Sequence, residues 1–123
     1  MNLLFIGDIV GKPGRRAVKT VLPELVHAYK PDAIIANGEN AAGGLGLTQD
    51  TAEELFNLGV TLLTTGNHVW QKKEFYGFLQ DTSRVLRPAN YPPGAPGKGA
   101  TIINLANQVR LGVVNLIGRV FMS

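Results

Sequence analysis

The chain has 123 residues, enough for one domain whose core buries roughly two-thirds of the unfolded surface. The absence of cysteine excludes a disulfide framework and thiolate metal sites and fits a cytoplasmic protein. A net charge of +3 is too small to argue by itself for a nucleic-acid-binding module, but Lys12, Arg15, Arg16, Lys19 and Lys30 face only Glu24 and Asp32, a mild field favouring a phosphate-bearing substrate.

No stretch approaches the ~18 apolar residues of a membrane span, so no membrane partner is expected. The opening MNLLFIGDIV is too brief for a signal-peptide core and lacks a basic lead.

Asn2 to Ile6 does not alternate and predicts a strand buried on both faces. Gly7 to Gly14 is the connection into a helix, with Pro13 suited to its first turn. Val18, Val21, Leu22, Leu25, Val26 and Tyr29 recur at helical spacing as one apolar face. Pro23 predicts a kink or break near Leu22, and His27 reads as a surface residue. Ala33 to Ala36 is a second strand. Asn40 to Leu47 is a loop whose glycines allow close approach of a ligand, though turns alone account for them equally. Thr48 suits the N-cap of a helix from Gln49 to Leu58, closed by Gly59. Val60 to Thr65 is the third strand, and strand–helix alternation with short links predicts a parallel α/β sheet.

Lys72 to Gln80 reads as a short helix and Arg84 to Leu86 as a fourth strand. Arg87 to Gly99 is a Pro/Gly loop long enough to be functional, and its Tyr91 offers a face on which a base could stack. Ala100 to Leu105 and Val109 to Leu116 form a hairpin around residues 106–108. The apolar run Val113 to Ile117 expects a covering partner, which predicts self-association as a homo-oligomer. The stop at Ser123, just after an apolar run, predicts a sequence cut mid-fold.

Three strands end alike. Leu3 to Ile6 runs into Gly7-Asp8, Ala33 to Ala36 into Asn37-Gly38-Glu39-Asn40, and Thr61 to Thr65 into Gly66-Asn67-His68. Ligands of parallel sheets bind beyond the carboxyl ends of the strands, so Asp8, Glu39, Asn40, Asn67 and His68 are expected on one rim. Any one such pair is explained by turn chemistry, but three at the same end are not. Carboxylate, carboxamide and imidazole donors suit Mn, Fe or Zn. Glu39 could bridge two ions, with Asp8 and Asn40 on one and Asn67 on the other, and His68 could protonate a leaving oxygen.

Gly66-Asn67-His68 resembles the GNH motif of the calcineurin-like metallophosphoesterases. Asp8-Ile9-Val10 and Gly38-Glu39-Asn40 depart from the usual Asp-x-His and Gly-Asp-x-x-Asp. The segments GDIVGKPGR, ANGENAAGG, TTGNHVW and RPANYPPGAPG together resemble the bacterial YmdB-type branch, across essentially the whole chain. The resemblance implies metal-dependent hydrolysis of 2′,3′-cyclic nucleotides and related phosphodiesters by two transition-metal ions, iron or manganese, and a link to RNA. It implies Asp8 and Asn40 on the first metal, Glu39 bridging, Asn67 on the second and His68 as proton donor. It further implies an α-β-β-α sandwich, of which this single domain is the N-terminal part, and three more histidine ligands beyond it. The only histidines here are His27 and His68. Two alternatives stand beside it. One is a non-catalytic nucleotide- or phosphate-binding α/β module, since residues 7–12 approximate a Walker A loop with one residue too few and Pro13 in place of Ser or Thr. The other is an incomplete subunit needing a second chain.

Overall fold

A computed structural model describes residues 1–120 of the chain; the expected cut at Ser123 lies outside the described residues. Four parallel strands make the main sheet, in the order β1 (Leu3–Ile6), β2 (Ala33–Asn37), β3 (Leu62–Thr64), β4 (Val85–Leu86). The register sets Ile6 beside Ala36, and Asn37 beside Thr64. The three polar strand ends therefore finish level with one another.

Helices α1 (Gly11–Tyr29), α2 (Gln49–Asn57) and α3 (Tyr76–Asp81) supply one layer. Val18 and Leu22 of α1, Ala52 and Leu55 of α2 and Leu79 of α3 close over Ile34, Ala36, Leu63 and Val85 of the sheet. The alternate residues Ile35, Leu62 and Leu86 face the other way, as the period of two requires. There they meet Ile103, Leu111 and Val113 of an antiparallel hairpin, β5 (Ala100–Asn104) and β6 (Arg110–Val114). The result is helices, parallel sheet and hairpin in three layers, the α-β-β portion of the expected sandwich.

Local chemistry sets the element ends. Thr48 caps α2 in a reciprocal capping box with Thr51. Gly59, at φ +119°, turns the chain out of α2 in a conformation that a Cβ disfavours. Lys30 ends α1 in the left-handed region, its N–H returning to the Val26 carbonyl.

Three expectations are corrected. Strand β1 is not buried on both faces: Leu4 and Ile6 pack on the helices, whereas Leu3 and Phe5 are exposed. The strand is at the sheet edge, and the hairpin covers β2 to β4 without reaching it. Helix α1 runs through Pro23 without a break. Pro23 and Lys19, whose carbonyl loses its helical donor there, are both exposed, so water can supply the bond. The apolar face of α1 is also narrower than its spacing predicts, because Val21, Val26 and Tyr29 are exposed while Val18 and Leu22 are buried.

The short helix, the fourth strand and the hairpin are all present, the helix proper beginning at Tyr76 after a helical turn at Lys73–Phe75. No helix among the described residues is long and apolar enough to cross a membrane.

Candidate active site at three strand ends

The site is a chain of polar contacts among residues of three loops. Asp8 follows β1 and is exposed. Asn40, in the turn after β2, donates from Nδ2 to both Asp8 carboxylate oxygens, at 3.0 and 3.1 Å. An ionised carboxylate can only accept, so the amide nitrogen of Asn40 faces Asp8 and its oxygen faces away. That oxygen lies 2.5 Å from Nδ1 of His68. Oδ1 can only accept, so His68 Nδ1 carries a proton and is the donor in this contact.

Glu39 closes the chain. Its Oε2 accepts from the backbone N–H of His68 at 3.3 Å and lies 3.6 Å from His68 Nδ1. Glu39 and His68 side chains are partly exposed, at 18% and 31%, so both are shielded yet reachable. Asn67 begins the helical turn Asn67–Trp70 and is exposed. It lines, with Glu39, a groove of about 460 Å³ between the main sheet and the hairpin. Thus Asp8, Glu39, Asn40 and His68 are brought into direct contact, and Asn67 shares the rim without bonding to them.

Residues outside the expected set hold this arrangement. Asn37 Oδ1 accepts from the Glu39 N–H at 3.2 Å, a local Asx bond that orients the turn. Gly66 is required by space, since a Cβ there would stand 2.5 and 2.7 Å from the Glu39 carboxylate oxygens. Asn115, buried, donates to the carbonyls of Thr65 (2.8 Å) and Leu86 (3.0 Å) and so ties the hairpin to the strand end preceding Asn67. The doublet Asn37-Gly38 carried a turn signal that would have marked Asn37; nothing local marked Asn115. Tyr91 is partly buried with its ring edge-on to Trp70, 5.2 Å between centroids.

The backbone of residues 7–12 does not offer a full set of free N–H groups to a phosphate. A phosphate loop needs free N–H groups, but Ile9 N–H donates to the Asn37 carbonyl and Gly11 N–H to that of Asn40.

A sequence model for YmdB-like protein matches residues 4–123. The chain belongs to the YmdB-like family. Within it, the chain is 50% identical over 122 residues to the 2′,3′-cyclic-nucleotide 2′-phosphodiesterase of Bacillus subtilis (strain 168), covering 99% of this chain and 46% of that protein. A crystal structure of a hypothetical protein from Thermus thermophilus superposes with a TM-score of 0.91 at 46% identity, covering 100% of this chain and 47% of that one. A novel phosphatase from Mycoplasma pneumoniae superposes with a TM-score of 0.87 at 32% identity, over 94% of this chain and 42% of that one. The chain therefore spans about half the length of these relatives.

The donor chemistry suits a cation in part. Two carboxylates and two carboxamides are hard oxygen donors, and the Asn40 oxygen keeps a second lone pair beside the His68 bond. Among the described residues, however, no three His, Asp or Glu side chains group so as to hold a metal ion. A metal ion held here would need the amides and further donors to close its coordination.

Proposed function

We propose that this chain forms the first part of a metal-dependent phosphodiesterase that hydrolyses 2′,3′-cyclic nucleotides. The observation that carries the reading is the continuous Asp8–Asn40–His68–Glu39 chain at three level strand ends. The name of the Bacillus subtilis relative supports the substrate class.

In this reading Asp8, Glu39, Asn40 and Asn67 would hold two transition-metal ions, manganese or iron, with Glu39 contributing to both. Such ions, when bound, neutralise phosphate charge and ease the ionisation of water. The side chains of this chain do the rest. Asn40 accepts from His68 Nδ1, which leaves Nε2 as the ring nitrogen that would take up a second proton and pass it to a leaving oxygen. Glu39, through the His68 N–H, fixes the backbone at that ring. The groove beside Glu39 and Asn67 gives a substrate room to lie against the rim.

The test is Glu39→Gln in the intact protein. It should remove bound metal and phosphodiesterase activity together, because one carboxylate serves both ions. Retention of both metals by elemental analysis, with normal turnover, would refute the assignment.

A second reading places the missing donors outside these 123 residues, and the shortfall of His, Asp and Glu in the group favours it over a self-sufficient site. Residues 1–123 expressed alone should then bind manganese weakly and hydrolyse little cyclic nucleotide. Stoichiometric metal and full activity in that fragment would exclude this second reading.

A further inference from the structure

We infer that Arg15 is a positioning residue for this site, acting through the turn that carries Asn40; the inference rests on the proposed phosphodiesterase reading. Arg15 lies in the second turn of α1, and its side chain is 16% exposed. Its Nη1 donates to the carbonyl of Ala41, the residue after Asn40. Ala41 is fully buried, so that carbonyl depends on a protein donor.

Backbone donors of the same segment also bond to the turn. Ile9 N–H donates to the Asn37 carbonyl at 3.1 Å and Gly11 N–H to the Asn40 carbonyl at 2.9 Å. Donors from residues 9, 11 and 15 thus take the carbonyls of residues 37, 40 and 41, and the Glu39–Asn40 pair lies between them. Arg15 is the only side chain of the three, and so the only one open to substitution without altering the backbone.

The direction of its guanidinium is itself set. Nε donates to Oε2 of Glu54 on α2 at 2.9 Å. A planar fork held at Nε presents Nη1 along a fixed line. Lysine has a single nitrogen on a flexible stem and cannot reproduce both contacts. Without Arg15 the buried Ala41 carbonyl loses its side-chain donor, and the turn is held only by its backbone bonds, Ala41 N–H to Gly38, Ala42 N–H to Gly46, and the Gly11 and Gly44 N–H groups to the Asn40 carbonyl, so Asn40 is placed less firmly. Its amide would then present nitrogen to Asp8 and oxygen to His68 together less of the time, and small misplacements of this kind lower turnover steeply.

The experiment compares Arg15→Lys and Arg15→Ala with the parent in the intact protein. The ¹⁵N shifts of the His68 ring report which nitrogen bears the proton, and within these residues His27 is the only other histidine to assign. The parent should show the proton on Nδ1, and both variants should shift toward a mixture of tautomers. With manganese and a 2′,3′-cyclic nucleotide, kcat should fall about tenfold while KM stays within about twofold, the pattern of lost alignment. If Arg15→Ala does not fold, Arg15→Lys decides. Ring shifts in folded Arg15→Lys identical to the parent's would overturn the inference, whatever the turnover. If the parent hydrolyses no phosphodiester, the functional reading fails while the ring shifts still judge Arg15.

Discussion

Gly66 and Glu39 occupy complementary space: the carboxylate of Glu39 fills the position where a side chain on residue 66 would begin, 2.5 Å from Oε1 and 2.7 Å from Oε2. Glycine here is a steric condition for the site. Its φ of −134° is open to any residue, so backbone strain does not explain it.

Gly66→Ala should accordingly damage metal binding more than folding. Glu39 is a partly exposed side chain and can swing aside, so the stability cost should stay near the low end of the ~1–3 kcal/mol typical of overpacking. Displacing the carboxylate also breaks its contact with the His68 N–H. Calorimetry with manganese should show affinity reduced at least about tenfold. A variant with parental affinity would mean that Glu39 is not a ligand.

Asn40→Asp tests the polarity of the amide. The new carboxylate would face Asp8 where Nδ2 now donates at 3.0 Å. Two like charges so close should lower the metal-free melting temperature. Manganese should stabilise this variant by more than it stabilises the parent, because binding to the native state adds stability by mass action. Melting scans with chelator and with manganese check both halves of the expectation.

His68→Ala should leave metal content intact and reduce turnover by about 10²–10⁴ on a poor leaving group. The loss should shrink on a nitrophenyl ester, whose leaving oxygen needs little protonation. Equal losses on both substrates would assign His68 an orienting role.

Asn115→Leu addresses the join between the layers. It strips two inter-layer donors, leaving the Thr65 carbonyl without its 2.8 Å partner and Leu86 with one donor fewer. An unsatisfied buried acceptor costs about 1–3 kcal/mol and only the Thr65 carbonyl is left bare, so urea denaturation should show a loss of roughly 1–3 kcal/mol. The hydroxyl of Thr65 still serves the Leu86 carbonyl at 2.7 Å, which argues for the lower part of that range.

The elements and the membership of the site are local matters, legible in the order of residues alone. An apolar run of strand length that stops at glycine and a polar side chain marks β1, β2 and β3 wherever they lie in space. Thr48 specifies its cap within four residues, and the break at residues 106–108 separates two runs that pair as a hairpin. Asp8, Glu39, Asn40, Asn67 and His68 could be named because each closely follows such a run. How they meet is a property of the folded chain. Asn40 bonds to Asp8 across 32 residues and to His68 across 28, separations that no local signal spans. Those contacts depend on parallel register, which places the strand ends level, and on the packing of the two helices that connect the strands. The same holds for Leu3 and Phe5: their apolar character promised burial, but whether an edge strand is covered depends on where the hairpin lies. Arg15 reads in sequence as one cation among several on a helix, because its partners, Glu54 and Ala41, lie 39 and 26 residues away.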